Sequence, residues 1–271
     1  MSPHQTHAPR VLRVESVDDP RLRPYRHLKG QDLARQEGLF VCEGEHLTRR
    51  LLASRFKVHS ILAAEHRAAA LLPHVPESTP VYVAPEPMLA QIAGYPFHLG
   101  VLACGHRPPA QTIDALPASP MLAVCPVIFN PENLGLIIRT AAALGAGGLL
   151  LGQRGADVLS RRVVRVSMGA VFTLPIAQSA DLEADLIRLR DEQGVELVAT
   201  VLEDGAVPLH QYQPPARVAV LMGSEPQGLE PQWLNLCQQR ITIPMHRGVD
   251  SLNVAVALGV VLYELSQQQR R

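Results

Sequence analysis

One helical segment of the sequence carries an amide and a guanidinium beside a stripe of apolar residues. Residues 130–145 read NPENLGLIIRTAAALG. The apolar positions have the spacing of a core-facing helical stripe: Leu134, Ile137, Ile138, Ala141 and Leu144. Asn133 is placed to cap this helix and Gly145 to end it. Arg139 lies off the stripe, on the side of Glu132, so its charge points either into solvent or toward an anionic group.

Two later segments have features of a ligand-binding edge. Residues 220–229 read VLMGSEPQGL, and residues 243–256 read IPMHRGVDSLNVAV. Gly223 and Gly228 flank a short loop after a predicted strand, where a backbone without side chains can approach a ligand closely. Residues 243–245 offer an apolar wall, and residues 251–253 open a helix whose free N–H groups can bind polar atoms. Ordinary turn and N-cap geometry would explain each feature taken alone.

In this order, the three segments resemble the three signature motifs of the SpoU family of RNA ribose 2′-O-methyltransferases, part of the knotted SPOUT superfamily. The matching positions are Asn133 and Arg139 in the first motif, Gly223, Glu225 and Gly228 in the second, and Pro244, Met245, Ser251, Leu252 and Asn253 in the third. No single piece is specific to the family, but the ordered set is. The resemblance covers residues 121–271 and implies a deep trefoil knot that binds S-adenosyl-L-methionine.

The resemblance divides the candidate residues into two sets. The catalytic set is Asn133, Arg139, Glu225, Ser251 and Asn253. The cofactor-binding set is Gly223, Gly228, Ile243, Met245 and Leu252. The family makes Arg139 the residue that activates the attacking 2′-hydroxyl, but a free guanidinium, with a pKa above about 12, is a poor base. We therefore expect Arg139 to stabilise charge on the attacking oxygen and to position phosphate.

The other catalytic candidates have supporting roles in this scheme. Glu225 would hold Arg139 in place or accept the proton, and its alternative is a loop carboxylate in solvent. Asn133, Ser251 and Asn253 would orient the ribose, the phosphate or the methionine portion of the cofactor. A plain N-cap is the alternative for Ser251. An amide among apolar neighbours, as at Asn253, needs polar partners, which favours a functional role.

Composition is typical of a cytoplasmic enzyme. The 271 residues, 47% of them hydrophobic, are enough for two cores. The longest apolar run, residues 254–263, is too short to cross a bilayer, and the first ten residues lack the apolar core of a signal peptide. The four cysteines form no CxxC pair, so we expect buried thiols rather than disulfides or a zinc site. The histidines lack ligand spacing, and we expect no metal.

The net charge is formally zero, but the basic residues are unevenly placed and nearly all arginine. Between Arg10 and Lys57 the chain has eleven basic and seven acidic residues. A second concentration lies at Arg154, Arg161, Arg162 and Arg165. These side chains are candidate contacts to RNA phosphates, with solvated surface charges as the alternative.

A proline-rich segment divides the chain. Residues 108–120, with four prolines, predict a linker between a domain at 11–107 and a catalytic domain at 121–271. In each part, strand and helix patterns alternate, which predicts two α/β domains, the second with a parallel sheet. Residues 19–47 resemble the amino-terminal substrate-binding domain of many SpoU enzymes, which is akin to RNA-binding ribosomal proteins. The glycines of LGAGGLLLG follow a helix and precede a strand, so helix termination explains them better than dinucleotide binding.

These observations favour S-adenosylmethionine-dependent 2′-O-methylation of a ribose in structured RNA, with ribosomal RNA ahead of transfer RNA because a substrate domain precedes the catalytic one. The alternatives are a tRNA ribose 2′-O-methyltransferase and a catalytically silent RNA-binding or ribosome-assembly factor on the same scaffold. Residues 253–265 predict a helix that is apolar nearly all round, which must be covered on more than one side. The resemblance implies a homodimer through this helix, and cover by the first domain is the alternative.

Overall fold

The computed structural model describes residues 10–26, 28, 33–223, 228–246, 248 and 250–268 of the chain. Its backbone groups into two units. The first comprises Met1–Pro108 with Leu159–Arg161, and the second comprises Pro109–Val158 with Arg162–Arg271. Each unit is built around one β-sheet.

The first unit forms a mixed sheet and short helices from its described residues. Its elements are β1 (Val11–Arg13), α1 (Leu33–Gln36), β2 (Leu39–Glu43), α2 (Glu45–Leu52), β3 (Val58–Ala64), α3 (Glu65–Leu71), β4 (Val81–Ala84), α4 (Glu86–Ala93) and β5 (Val101–His106). The strand order is β1-β4-β3-β5-β2, with β5 antiparallel to both its neighbours and the other pairs parallel. This unit is the small α/β layer that the sequence predicted.

Helices cover both faces of the first sheet. Leu62 and Cys104 join one buried cluster with Leu89 of α4. The intervening strand residues, such as Ile61 and Ala103, are also buried, and α2 and α3 contact the same strands. A sheet covered on both faces needs apolar strands throughout, which explains why these segments read as continuous apolar runs.

The second unit alternates strands and helices. Its elements are β6 (Met121–Cys125), α5 (Pro131–Ala143), β7 (Leu149–Leu151), α6 (Arg161–Val166, its first residue grouping with the first unit), β8 (Ile176–Gln178), α7 (Leu182–Asp191), β9 (Glu196–Thr200), β10 (Val207–Pro208), β11 (Val218–Leu221), α8 (Pro231–Leu236), β12 (Gln239–Thr242) and α9 (Val254–Gln268). Five short 3-10 helices accompany these elements in the described parts of the two units: Pro20–Tyr25, Leu72–His74, Ile113–Ala115, Ala170–Phe172 and Leu209–Gln211.

All seven of these strands run parallel, in the order β10-β12-β9-β11-β6-β7-β8. The predicted parallel sheet is therefore confirmed. The next two strands along the chain after β6, β7 and β8, lie on one side of β6. The later strands lie on its other side, where β11 is between β6 and β9, so the direction of strand addition reverses at β6. In open α/β sheets, ligands bind beyond the carboxyl ends of strands at such a reversal. The trefoil knot implied by the resemblance stays a prediction.

Close packing fixes α5, the helix of the first motif. Its apolar stripe is buried at Leu134, Ile137, Ile138 and Ala141. A Cβ on Gly135 would come within 2.7 Å of the Val166 side chain, and one on Gly259 within 3.2 Å of Thr140 Cγ2. These small residues let α5 approach both α6 and α9 closely.

Several local predictions can be compared with the structure. Gly145, with φ +80°, follows α5 and ends it, as predicted. Within the segment predicted as a linker, Ile113 is buried in the core of the second unit, and the carbonyl of Gln111 accepts a hydrogen bond of 2.9 Å from the backbone of Gln178.

Three cysteines are buried, whereas Cys237 is only partly so. None of the helices in the described part of the chain has the length and hydropathy to span a bilayer.

Candidate functional site

The first motif begins α5 with a different cap from the predicted one. The side chain of Asn130 accepts a 2.8 Å hydrogen bond from the backbone N–H of Glu132, and Pro131 occupies the first helical position. Proline is favoured there because its missing N–H would have no partner in the helix. Asn133, the predicted cap, lies instead inside the first turn and is buried, with 7% of its surface exposed.

A hydrogen bond between two amides connects the first and third motifs. Asn253 Nδ2 donates to Asn133 Oδ1 at 2.9 Å, across 120 residues of sequence. The Oδ1 atom of Asn253 accepts from the backbone N–H groups of Ala255 at 2.9 Å and Val256 at 3.4 Å, so Asn253 is the N-cap of α9. Ser251, the predicted cap, lies two residues earlier and is exposed. The Asn253 side chain therefore caps α9 and fixes this helix against α5.

A cavity of about 350 Å³ lies beyond the carboxyl ends of β9, β11 and β12, beside the start of α9. All five predicted cofactor residues line it, together with Ser251 and residues that the sequence analysis did not single out. The predicted members are Gly223, Gly228, Ile243, Met245, Ser251 and Leu252. The second motif, which ends at residue 229, and the third, which begins at residue 243, thus meet around one space.

The two glycines of the second motif bring the backbone close to itself at the cavity wall. A Cβ on Gly223 would lie 2.3 Å from the carbonyl carbon of Gly228 and 2.6 Å from the backbone nitrogen of Leu229. Gly228 has φ +67°, a conformation that side-chain-bearing residues rarely adopt. Glycine at 223 is therefore a steric requirement. The predicted catalytic residue Glu225 lies between Gly223 and Gly228 in the sequence, outside the described residues.

Sequence reasoning missed polar groups at the cavity. Glu203 lines it and forms an ion pair of 2.8 Å with Arg240, both side chains being partly exposed. Thr200 lines it too, with its hydroxyl donating to the carbonyl of Leu221 at 2.9 Å. Thr200 is the last residue of β9, and Glu203 comes three residues after it. The signal for Glu203 in the sequence was its position after an apolar, strand-like run.

Arg139 lies apart from the cavity lining in the single chain. It is exposed on the polar side of α5 and forms no ion pair with any residue that the structure describes. Glu132, which shares this side, forms an ion pair with Arg162 of α6. Arg139 comes six residues after Asn133, or about 9 Å along the helix axis. The guanidinium is thus presented to solvent rather than to the cavity of its own chain.

The remaining chemistry near the site is restricted. Burial raises the pKa of the Cys125 thiol, at the end of β6, to about 12, so it is protonated at neutral pH and is a poor nucleophile. Within the described ranges, no three His, Cys, Asp or Glu side chains are grouped to bind a metal ion. The candidate site therefore consists of a cavity, hydrogen-bonding amides and an exposed guanidinium.

Several known proteins are similar in sequence to this chain. A model of the SpoU rRNA Methylase family matches residues 120–263. An uncharacterized tRNA/rRNA methyltransferase of Mycobacterium bovis is 36% identical over 268 residues, covering 94% of this chain and 93% of the relative. The 23S rRNA (guanosine-2′-O-)-methyltransferase RlmB of Acinetobacter baylyi is 33% identical over 187 residues, covering 67% of this chain and 75% of that protein.

A solved structure is similar over most of the chain. The AdoMet-bound rRNA methyltransferase from Sinorhizobium meliloti has a TM-score of 0.80 and 27% identity, covering 95% of this chain and 98% of that one. The family model spans all three motifs, and the relative from M. bovis matches along both units. The chain therefore belongs to the SpoU rRNA Methylase family.

Proposed function

We propose that this chain transfers a methyl group from S-adenosyl-L-methionine to a ribose 2′-hydroxyl of ribosomal RNA. The observation that carries the proposal is the cavity at the carboxyl edge of the parallel sheet, lined by the second and third motifs and joined to the first by the Asn133–Asn253 hydrogen bond. Family membership supports the reaction. The relative named for methylating 23S rRNA favours ribosomal over transfer RNA.

The cavity suits a nucleoside-containing cofactor. Its volume of about 350 Å³ is within the usual range of small-molecule sites, and its lining is mostly apolar. Ile243 and Met245 would flank the adenine, the backbone at Gly223 and Gly228 would approach the adenosine, and the carboxylate of Glu203 would accept hydrogen bonds from hydroxyls. When bound there, S-adenosylmethionine supplies an activated methyl group on a sulfonium.

The protein's own contribution is alignment and charge stabilisation. Arg139 is accessible to RNA, since it is exposed and pairs with no carboxylate among the described residues. It would stabilise negative charge on the attacking oxygen and bind phosphate, because a guanidinium is a poor base. The Asn133–Asn253 hydrogen bond fixes α9 against α5. Ser251 would contact the bound ligand, and Glu225 would orient Arg139 or accept the proton.

A homodimer would complete this arrangement. Val256, Val260 and Tyr263 form an apolar stripe on α9 and are 51%, 39% and 57% exposed. A groove beside the stripe is lined by Leu209 and Pro244. A second copy, packed on this face by two-fold symmetry, would cover both and bring its Arg139 toward the cavity of the first chain. The family resemblance supports this pairing.

The dimer has a direct test. Val260→Asp would place a charge in the covered stripe, so we expect it to convert the dimer to a monomer in size-exclusion chromatography with light scattering. Ile187→Asp is the matched control, since Ile187 is 36% exposed on α7. A Val260→Asp protein with the parent's mass at micromolar concentration would contradict the dimer through α9.

The first unit is proposed to bind the RNA substrate, in the cytoplasm. Its basic excess between Arg10 and Lys57 and the resemblance of residues 19–47 support this role. Ultraviolet cross-linking of the full chain to RNA, followed by peptide mass spectrometry, tests it. We expect cross-linked peptides on both sides of residue 108. Cross-links confined to residues after 108 would remove the substrate-binding role from the first unit.

Two assays on the purified full-length chain test the methyltransferase proposal. Calorimetry should detect binding of S-adenosylmethionine, and RNA incubated with radiolabelled cofactor should yield 2′-O-methylnucleosides after digestion. No binding up to millimolar cofactor, equivalent to an affinity weaker than about −4 kcal/mol, would contradict the proposal. RNA binding without cofactor binding would instead identify a catalytically silent RNA-binding factor.

A further inference from the structure

Phe129 is an exposed aromatic residue with no role in the core. Its ring precedes the Asn130 cap of α5 and is 62% exposed. Of the five phenylalanines in the chain, it is the only exposed one. Leaving such a ring in water forgoes the favourable free energy of its burial. The exposed ring is therefore available to a ligand.

A cation lies against this ring. The guanidinium carbon of Arg154, in the loop after β7, is 5.8 Å from the centroid of Phe129. Arg154 is itself exposed, and no ion pair joins it to a carboxylate in the described part of the chain. The pair thus presents an aromatic face and a positive charge side by side.

The backbone holds the two residues in place. Ile128 and Gly155 form a parallel β-bridge, and the N–H of Ala156 donates to the carbonyl of Ile128 at 2.8 Å. A Cβ on Gly155, which has φ +152°, would come within 2.8 Å of that carbonyl oxygen. Because the loops after β6 and β7 are joined so closely, Phe129 and Arg154 form a fixed surface rather than two independent side chains.

This surface lies beside the proposed methyl-transfer site. Phe129 comes four residues before Asn133, which bonds to Asn253 at the start of α9. Residues on both sides of Asn253 line the cofactor cavity. The Phe129–Arg154 surface is therefore at the same carboxyl edge of the sheet as the cavity, on the side of β6 and β7.

We propose that Phe129 and Arg154 form a stacking platform for an unpaired nucleobase of the RNA, next to the ribose that is methylated. The inference rests on the proposed function. Unpaired bases stack on aromatic rings and on guanidinium planes, and the positive charge also attracts the neighbouring phosphate. RNA is favoured over a protein partner because the exposed guanidinium of Arg154 has no carboxylate partner among the described residues and is available to an anionic ligand.

Substitutions at position 129 test the platform in the full-length protein. Base–aromatic stacking is worth roughly 5- to 150-fold in affinity, so Phe129→Leu should raise the KM for RNA by about fivefold or more. The affinity for S-adenosylmethionine should stay at the parent's value. Phe129→Trp should keep the parent's KM because it retains a stacking face. Ile187→Leu, an exposed position on α7, is the matched control and should change neither quantity.

The assay uses total RNA from a source strain that lacks the gene, with methyl transfer measured at varied RNA concentration. A parent protein that transfers no methyl group would contradict the proposed function itself. If the parent is active and the variants Phe129→Leu and Arg154→Ala both keep the parental KM, the platform is overturned. A Phe129→Leu protein with an altered oligomeric state would also overturn it, by showing that the ring contacts a second chain.

Discussion

The hydrogen bond between Asn133 and Asn253 is predicted to be a main stabilising contact of the catalytic unit. Replacing Asn253 with alanine removes the N-cap of α9, which costs about 1 kcal/mol. It also removes the hydrogen bond to Asn133 Oδ1, a net loss of about 0.5–1.5 kcal/mol. We therefore expect Asn253→Ala to lower the free energy of unfolding by about 1.5–2.5 kcal/mol, because both interactions are lost together.

Equilibrium urea denaturation measures this loss. Trp233, the only tryptophan in the chain, packs against the core of the second unit, so its fluorescence reports on the unit that contains the bond. Asn253→Ser keeps a capping side chain but loses the amide donor, and should therefore lose about 1 kcal/mol less than Asn253→Ala. Ser251→Ala, which the structure places outside the cap, should change the free energy of unfolding by less than about 0.5 kcal/mol.

A double-mutant cycle isolates the bond itself. The double variant should lose about 0.5–3 kcal/mol less free energy of unfolding than the sum of the losses in Asn133→Ala and Asn253→Ala, as for residues in direct contact. Additive effects, to within about 0.3 kcal/mol, would show that the amides do not interact. An effect of Ser251→Ala as large as that of Asn253→Ala would refute the assignment of the cap.

Three further predictions concern the site. Gly223→Ala should weaken S-adenosylmethionine binding at least tenfold in calorimetry, because its Cβ would lie 2.3 Å from the backbone of Gly228; an unchanged affinity would contradict the steric requirement. Arg139→Ala should lower single-turnover methylation by roughly 10² while the cofactor affinity stays within twofold, because Arg139 is outside the cavity lining; methylation within a few-fold of the parent would make it a surface residue. The Cys125 thiol, with its pKa raised to about 12, should resist iodoacetamide at pH 8 in the native protein and react once urea exposes it and the pKa falls; rapid native labelling would contradict its burial.

The sequence was sufficient for features that depend on local patterns. The parallel sheet followed from alternating strands and helices, and Gly145 ended α5 as its position indicated. The prediction of Asn133 as the cap of α5 was wrong, although Pro131 marks the first helical position and so indicates Asn130 as the cap. The strand β10 has only two residues, too few for an apolar pattern to indicate its type.

Contacts between distant segments were beyond the sequence alone. The Asn133–Asn253 bond joins residues 120 positions apart, and neither motif indicates the direction of the other's side chain. Glu203 lines the cavity without belonging to any motif. Similarly, the exposure of Phe129 depends on how the loop after β6 turns, and an apolar residue after a strand is more often buried. Such features emerge only when the fold brings the ends of the strands together.

Mapping of 2′-O-methyl groups across total RNA tests the central claim most directly. The map would be compared between the source strain, a strain that lacks the gene, and that strain complemented with the parent gene or with Arg139→Ala. We predict that methylation at a ribosomal RNA position disappears in the deletion strain, returns with the parent and stays absent with Arg139→Ala. Identical methylation maps with and without the gene would contradict the assignment of this chain as a ribose 2′-O-methyltransferase.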